Sequence, residues 1–248
     1  MLVTVSDRAR SAAVVITLAA TNLAAQRSRL PADVVVPAGV LLLVAGARVS
    51  GLGWDELGLG RERVRRDLVT AGLGAALTAA AVATGAALPA AEGLRHDDRY
   101  PSSATARRAA LTRIPLAVAI PEEVAFRGVL DAALRRHLGP RAATVCGAAA
   151  FGAWHALGAA TLTRDNAGLG RALGPGRWGA AAGVGGAVLA TALAGLGFLA
   201  LRRRTGSVLP GIAVHWALNA AGALAAGRAA GPGSGSAEPP RRGIQWRG

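Results

Sequence analysis

Long apolar stretches separated by short charged segments make up most of this 248-residue chain. Four windows contain no charged residue: 68–91, 142–163, 178–201 and 205–227, which are 24, 22, 24 and 23 residues long. A helix needs about 20 apolar residues to cross the hydrocarbon core of a bilayer. The helices of a soluble bundle would also need polar faces, which these windows lack. The pattern therefore predicts an all-α, polytopic transmembrane helical bundle.

About seven spans are predicted when the shorter and less regular apolar runs are added to these windows. They cover residues 11–26, 34–53, 68–91, 111–131, 142–162, 178–201 and 206–227. We expect residues 1–228 to form a single transmembrane domain. Residues 229–248 are rich in Gly, Pro and Ser, a composition that predicts a disordered C-terminal tail.

The basic residues of the chain suit a membrane surface better than a nucleic acid. The net charge is +14, and all 28 basic residues are arginines. Many lie at span ends and in short loops, as in 61–66 and 202–204, where arginine contacts headgroups and sets topology. No strip of alternating basic and aromatic residues offers stacking surfaces for bases. We expect a multi-pass protein of the cell membrane, with the lipid bilayer as a partner and no nucleic acid.

The fourth predicted span contains the stretch PEEVAFRGVL, residues 121–130, with two adjacent carboxylates and an arginine. Each charge at the middle of a bilayer costs about 2.5–3.5 kcal/mol. Glu123 and Arg127 are four residues apart, so they share a helix face and can pair. Pro121 cannot donate the hydrogen bond to the fourth carbonyl before it, which predicts a kink that admits water beside Glu122. If 121–131 is simply the end of the span, these charges lie at an interface without a function.

Two later spans each carry an imidazole. The fifth contains FGAWHALG with His155, and the seventh contains VLPGIAVHWALNAAG with His215 and Asn219, which are four residues apart on one helix face. Either histidine alone is best explained as a hydrogen-bonding residue of helix packing. Because ionisable residues inside membranes normally face the bundle interior, we expect the three polar clusters to meet there. Together they supply a carboxylate base, two imidazoles and an amide, which can activate water and stabilise an oxyanion.

The same residues allow a metal site. Glu122, His155 and His215 would hold Zn²⁺ in a His₂Glu arrangement with one open position. The HExxH signature of zinc proteases and the GxSxG nucleophile elbow are both absent from the sequence. The sequence alone leaves the glutamate base and the metal as alternatives.

Two further functions are compatible with polar residues inside a membrane domain. Buried Glu, His and Arg also mark the ion pathways of transporters. A transporter would usually show paired halves, and no internal repeat is visible. The other alternative is a non-catalytic membrane protein, such as an immunity or scaffold protein with the same fold.

Three motifs carry a resemblance to a known family. They are EExxxR (Glu122, Glu123 and Arg127), FxxxH (Phe151 and His155) and HxxxN (His215 and Asn219). In this order, and in successive late spans, they resemble the CAAX prenyl protease 2 and bacteriocin-processing family of intramembrane proteases, also called CPBP or Abi. The resemblance covers about residues 111–222. It implies a glutamate-type or metal-dependent endopeptidase that cleaves a membrane-associated protein or peptide.

The resemblance also implies roles for the carboxylates and for the first imidazole. Glu122 would be the general base that activates water, assisted by His155. Glu123 would support Glu122 and pair with Arg127.

The last motif and a possible metal complete the implied site. His215 and Asn219 would bind the oxyanion of the tetrahedral intermediate. The family has also been described as metalloproteases, in which case Glu122, His155 and His215 would be the ligands, with Zn²⁺ as the candidate ion.

Overall fold

The computed structural model describes residues 6–62, 64–89, 91, 97–165, 174 and 176–230. Apart from turns and short connections, these residues are helical. The elements are α1 Asp7–Arg27, α2 Ala32–Val49, α3 Val64–Ala87, α4 Ser103–Arg108, π1 Ala109–Ala119, α5 Ile120–Glu123, π2 Val124–Leu130, α6 Asp131–Asp165, α7 Gly176–Thr205 and α8 Leu209–Ala229. The disordered tail predicted for 229–248 lies almost wholly outside the described residues.

Five helical stretches in the described part of the chain are long and apolar enough to cross a membrane. They are Ala32–Val49, Val64–Ala87, Ser103–Thr161, Gly176–Thr205 and Leu209–Ala229. The third of these contains two of the predicted spans, and α1 is a 21-residue helix outside the five. The prediction of an all-helical membrane bundle is therefore confirmed, with about seven spans as an approximate count.

A glycine separates the two spans inside the third stretch. Gly139 interrupts α6 with a φ of 76°, a left-handed conformation that Gly adopts without strain. Pro140 follows, where the start of a new helix tolerates a residue without an N–H. The chain turns back here, because Trp154 in the second half of α6 contacts Glu122 in α5.

The helix that carries the acidic pair is not a regular α-helix. The four α-helical residues Ile120–Glu123 lie between the π-helical segments Ala109–Ala119 and Val124–Leu130. The residues that flank α5 keep right-handed helical dihedrals, so the irregularity predicted at Pro121 is a change of helix type rather than an interruption. Turns of the π type are frequent at functional sites because they alter which side chains face inward.

The bundle places apolar side chains outside and charged side chains inside. Leu41, Leu77 and Trp178 are more than 70% exposed on its surface. In contrast, Glu123 and Arg127 are 0% and 2% exposed. This distribution is expected where lipid surrounds the protein, since acyl chains accept apolar groups and the interior provides partners for charges.

Helix pairs around the acidic segment form the frame of the interior. The strongest packing joins α6 to α7 and α3 to α8, while α8 also packs against π1. A core of buried apolar residues from α1, α2 and π2 surrounds one side of the acidic pair. The polar motifs of π2, α6 and α8 therefore face a common interior.

Candidate active site

Glu123 joins the first motif to the last. Its Oε1 lies 3.0 Å from Nδ1 of His215 and 3.1 Å from Nη1 of Arg127. A carboxylate only accepts hydrogen bonds, so Nδ1 is the nitrogen of His215 that carries the proton. The pairing of Glu123 with Arg127 expected from their spacing is therefore present, and His215 shares the same oxygen.

The Arg127 guanidinium lies between aromatic rings. Its central carbon is 3.8 Å from the ring centre of Phe151 and 5.1 Å from that of Phe198. The two Nη atoms are buried and make no aligned hydrogen bond with the residues described. The Glu123 carboxylate and the negative ring faces therefore balance this buried charge.

Small residues let the neighbouring helices reach the ion pair. A Cβ on Gly195 of α7 would lie 3.2 Å from Nη2 of Arg127, and one on Gly211 of α8 would lie 2.9 Å from Oε2 of Glu123. Gly195 and Gly211 therefore let α7 and α8 approach the charged pair closely.

The two oxygens of Glu122 have different surroundings. Oε1 accepts a hydrogen bond from Nε1 of Trp154 at 3.1 Å. Oε2 is buried and has no hydrogen-bond partner among the described residues. It lies 3.7 Å from Nε2 of His155 and 4.0 Å from Nε2 of His215. These separations are too long for direct hydrogen bonds.

Both imidazoles present the same nitrogen to Glu122. Nδ1 of His155 lies 2.9 Å from the carbonyl oxygen of Phe151, which can only accept, so Nδ1 carries the proton and Nε2 is directed to Glu122. Glu123 orients His215 in the same way: Nδ1 of His215 is bound to Glu123, and Nε2 is directed to Glu122. The ring of His215 stacks on Phe198 at 5.1 Å, and that of His155 meets the edge of Phe151 at 4.7 Å.

Asn219 is placed near these residues without being joined to them. It lies one helical turn beyond His215 in α8 and is half-buried. Its side chain makes no hydrogen bond with the described part of the chain. The structure therefore brings five of the six predicted site residues into contact, and the amide of the sixth is free to bind another group.

The predicted metal ligands, one carboxylate and two imidazoles, are of the kinds that zinc takes. Two ligands on one tetrahedral zinc, with bonds of 2.0–2.1 Å, lie about 3.3 Å apart. The distances from Glu122 to the two imidazoles are longer, at 3.7 and 4.0 Å. Within the described ranges, no group of three or more His, Cys, Asp or Glu residues is arranged to hold a metal ion.

An open cavity of about 620 Å³ leads to this cluster. Glu122, Trp154 and His155 lie in its wall, together with small residues of α6 and α7. The cavity also borders the end of α1 and the start of α2, where Asp33 and Arg113 form an ion pair at 2.9 Å. The cavity therefore connects Glu122 to a polar region at one end of the bundle.

A second ion pair lines the same cavity. Asp97 accepts hydrogen bonds from the guanidinium and the backbone N–H of Arg99. Burial raises the pKa of Asp97, but the hydrogen bonds and charge of Arg99 outweigh burial and hold this pKa below its ordinary value. The carboxylate therefore stays ionised at neutral pH.

Two aromatic residues of the site were not predicted from the sequence. Trp154 directly precedes His155, but adjacent residues point about 100° apart on a helix, so the motif spacing gave it no role. Phe198 comes from an apolar, glycine-rich span without charged residues. Only the packing of α6 and α7 against the acidic segment places these two rings beside Glu122 and His215.

The family of this segment follows from a comparison with known proteins. Residues 106–221 match a family described as Rce1-like, type II CAAX prenyl endopeptidase. This range includes all six predicted site residues. No curated protein and no solved structure matches the chain. The resemblance inferred from the three motifs is confirmed, and the family suggests an intramembrane CAAX-type protease.

Proposed function

We propose that this protein is an intramembrane endopeptidase in which Glu122 and His155 activate a water molecule, as the family match over residues 106–221 and the site geometry together suggest. The substrate is a membrane-associated protein or peptide, and the protein works as a multi-pass component of the cell membrane. The catalytic domain comprises residues 1–228, with its family-like core at 111–222.

One observation supports this proposal above the others. Oε2 of Glu122 is buried, lacks a partner among the described residues, and faces Nε2 of both His155 and His215. Oε2 of Glu123 and Oδ1 of Asp67 are also buried without a hydrogen-bond partner among the described residues, so the missing partner alone does not mark a catalytic oxygen. What distinguishes Oε2 of Glu122 is its position beside Nε2 of both imidazoles, which suits it to accept a proton from a water molecule that enters with the substrate.

Hydrolysis then begins at this oxygen. Glu122 Oε2 takes a proton from the water while the water oxygen attacks the carbonyl carbon of the scissile peptide. His155 helps to orient the water through Nε2. The proton held by Glu122 passes to the nitrogen of the leaving amine as the carbon–nitrogen bond breaks, which restores the carboxylate.

The oxyanion formed by this attack is stabilised from α8. The side-chain amide of Asn219 has no hydrogen-bond partner among the described residues and donates to the oxyanion, together with Nε2 of His215 when that ring is protonated on both nitrogens.

The test is cleavage of a library of membrane-inserted peptides, some of which carry a C-terminal prenylated cysteine. Glu122→Gln keeps the size of the side chain but cannot accept the proton, so we expect it to abolish cleavage while the protein still inserts and folds. Glu56→Gln is the matched control, because Glu56 is paired with Arg136 at the protein surface. Cleavage by Glu122→Gln at the wild-type rate would refute the proposal.

A further inference from the structure

Trp154 is bound to the proposed catalytic base. Its indole N–H donates to Oε1 of Glu122 at 3.1 Å. The indole of Trp216 also donates inside the bundle, but to the backbone carbonyl oxygen of Ala110, at 2.7 Å. The two tryptophans therefore make similar hydrogen bonds, and only that of Trp154 reaches a carboxylate of the site.

The indole is held in place from two sides. Its ring meets the ring of Phe126 edge to face, with centroids 5.5 Å apart. The backbone carbonyl oxygen of Trp154 accepts a hydrogen bond from Nδ2 of Asn22, 132 residues earlier in α1, at 2.9 Å. The position of the donor relative to Glu122 is thus set by π2 and α1 as well as by α6.

The hydrogen bond decides which carboxylate oxygen is available. With Oε1 engaged by the indole, Oε2 is the oxygen that faces the two imidazoles. A partial rotation of the carboxylate would move one oxygen away from the indole N–H and the other away from the two imidazoles. A fixed donor on one oxygen therefore aligns the other oxygen with the reacting water.

We propose, on the basis of the function proposed above, that Trp154 is a positioning residue that orients Glu122 so that Oε2 accepts the proton from water. Loss of this donor should therefore lower the turnover rate without changing how the substrate binds.

Trp154→Phe tests this role, because it keeps most of the aromatic packing and removes the donor. We expect kcat to fall about tenfold while KM stays close to the wild-type value. Trp216→Phe is the matched control, because it loses an indole hydrogen bond to the backbone carbonyl oxygen of Ala110, and we expect wild-type kcat and KM. A kcat of Trp154→Phe equal to that of Trp216→Phe would overturn the proposal.

A thermal unfolding cycle in detergent tests the same contact without any substrate. Glu122→Ala and Trp154→Phe each remove one partner, so the double variant should lose less in Tm than the sum of the two single losses. The corresponding cycle with Trp216→Phe should be additive. Additive losses for Glu122 and Trp154 would show that the hydrogen bond does not form. This readout stands even if no peptide is cleaved, so failure of the positioning role and failure of the proposed protease function give different results.

Discussion

Nδ1 of His215 lies 3.0 Å from Oε1 of Glu123, although 92 residues separate the two along the chain. The same oxygen lies 3.1 Å from Arg127, so one fully buried carboxylate holds a cation and an imidazole together. This contact connects the EExxxR motif of the acidic segment to the HxxxN motif of the last helix. It also sets which nitrogen of His215 faces Glu122.

The first prediction concerns stability. Glu123→Gln leaves the Arg127 charge, which is 2% exposed, without its counter-ion, so we expect a loss of about 3–5 kcal/mol in the free energy of unfolding. Glu56→Gln breaks an ion pair whose side chains are 40% and 35% exposed, which costs about 1 kcal/mol or less. Unfolding in detergent measures the loss of free energy for each of the two variants. Equal losses for the two variants would contradict a central role for Glu123.

A second prediction separates catalysis from stability at Asn219. Because its amide has no hydrogen bond within the described structure, Asn219→Ala should leave the unfolding midpoint nearly unchanged. If the amide stabilises the oxyanion, kcat should fall about 10²–10³-fold while KM changes little. Steady-state kinetics on a cleaved peptide and a thermal melt give the two values. Unchanged kcat would remove Asn219 from the proposed oxyanion site.

The third prediction concerns the close approach of α8. A Cβ on Gly211 would lie 2.9 Å from Oε2 of Glu123, so Gly211→Ala must displace that carboxylate and should lower both stability and activity. Gly222 lies on the same helix with open space around its Cβ position. Gly222→Ala should therefore be neutral or stabilise by up to about 1 kcal/mol. If both variants behave alike, Gly211 is not needed for this contact.

A fourth prediction distinguishes the glutamate base from a metal. If Glu122 acts as the base without a metal, activity should survive exhaustive dialysis against a chelator. Metal analysis of the dialysed protein by mass spectrometry is the control that shows the chelation was complete. Loss of activity that returns on addition of Zn²⁺ would instead make Glu122, His155 and His215 metal ligands.

The fold class and the site motifs could be predicted because they depend on local properties. The hydrophobicity of a 20-residue window decides whether a helix crosses the membrane, and helix geometry places residues four apart on one face. The pairing of Glu123 with Arg127 follows from that spacing, and the structure has it. The exact bounds were less accurate: α2 ends at Val49 rather than at residue 53, since end residues depend on capping and neighbouring turns.

Other relationships needed the folded chain. No sequence pattern indicates that Trp154 binds Glu122, or that Phe198 stacks on His215 and approaches Arg127. The sequence also does not show that one oxygen of Glu122 accepts from an indole while the other faces the imidazoles. Each of these contacts joins separate helices. The distance between those helices depends on small residues such as Gly195 and Gly211 and on the turn at Gly139.

The sequence by itself thus determined the membrane-spanning character and the set of charged and imidazole side chains, because both follow from composition and from the helical repeat. Only the tertiary structure decided which atoms of that set meet. The physical reason is that a buried charge can be stabilised by any suitably placed counter-ion, ring face or hydrogen bond, and helix packing selects among them.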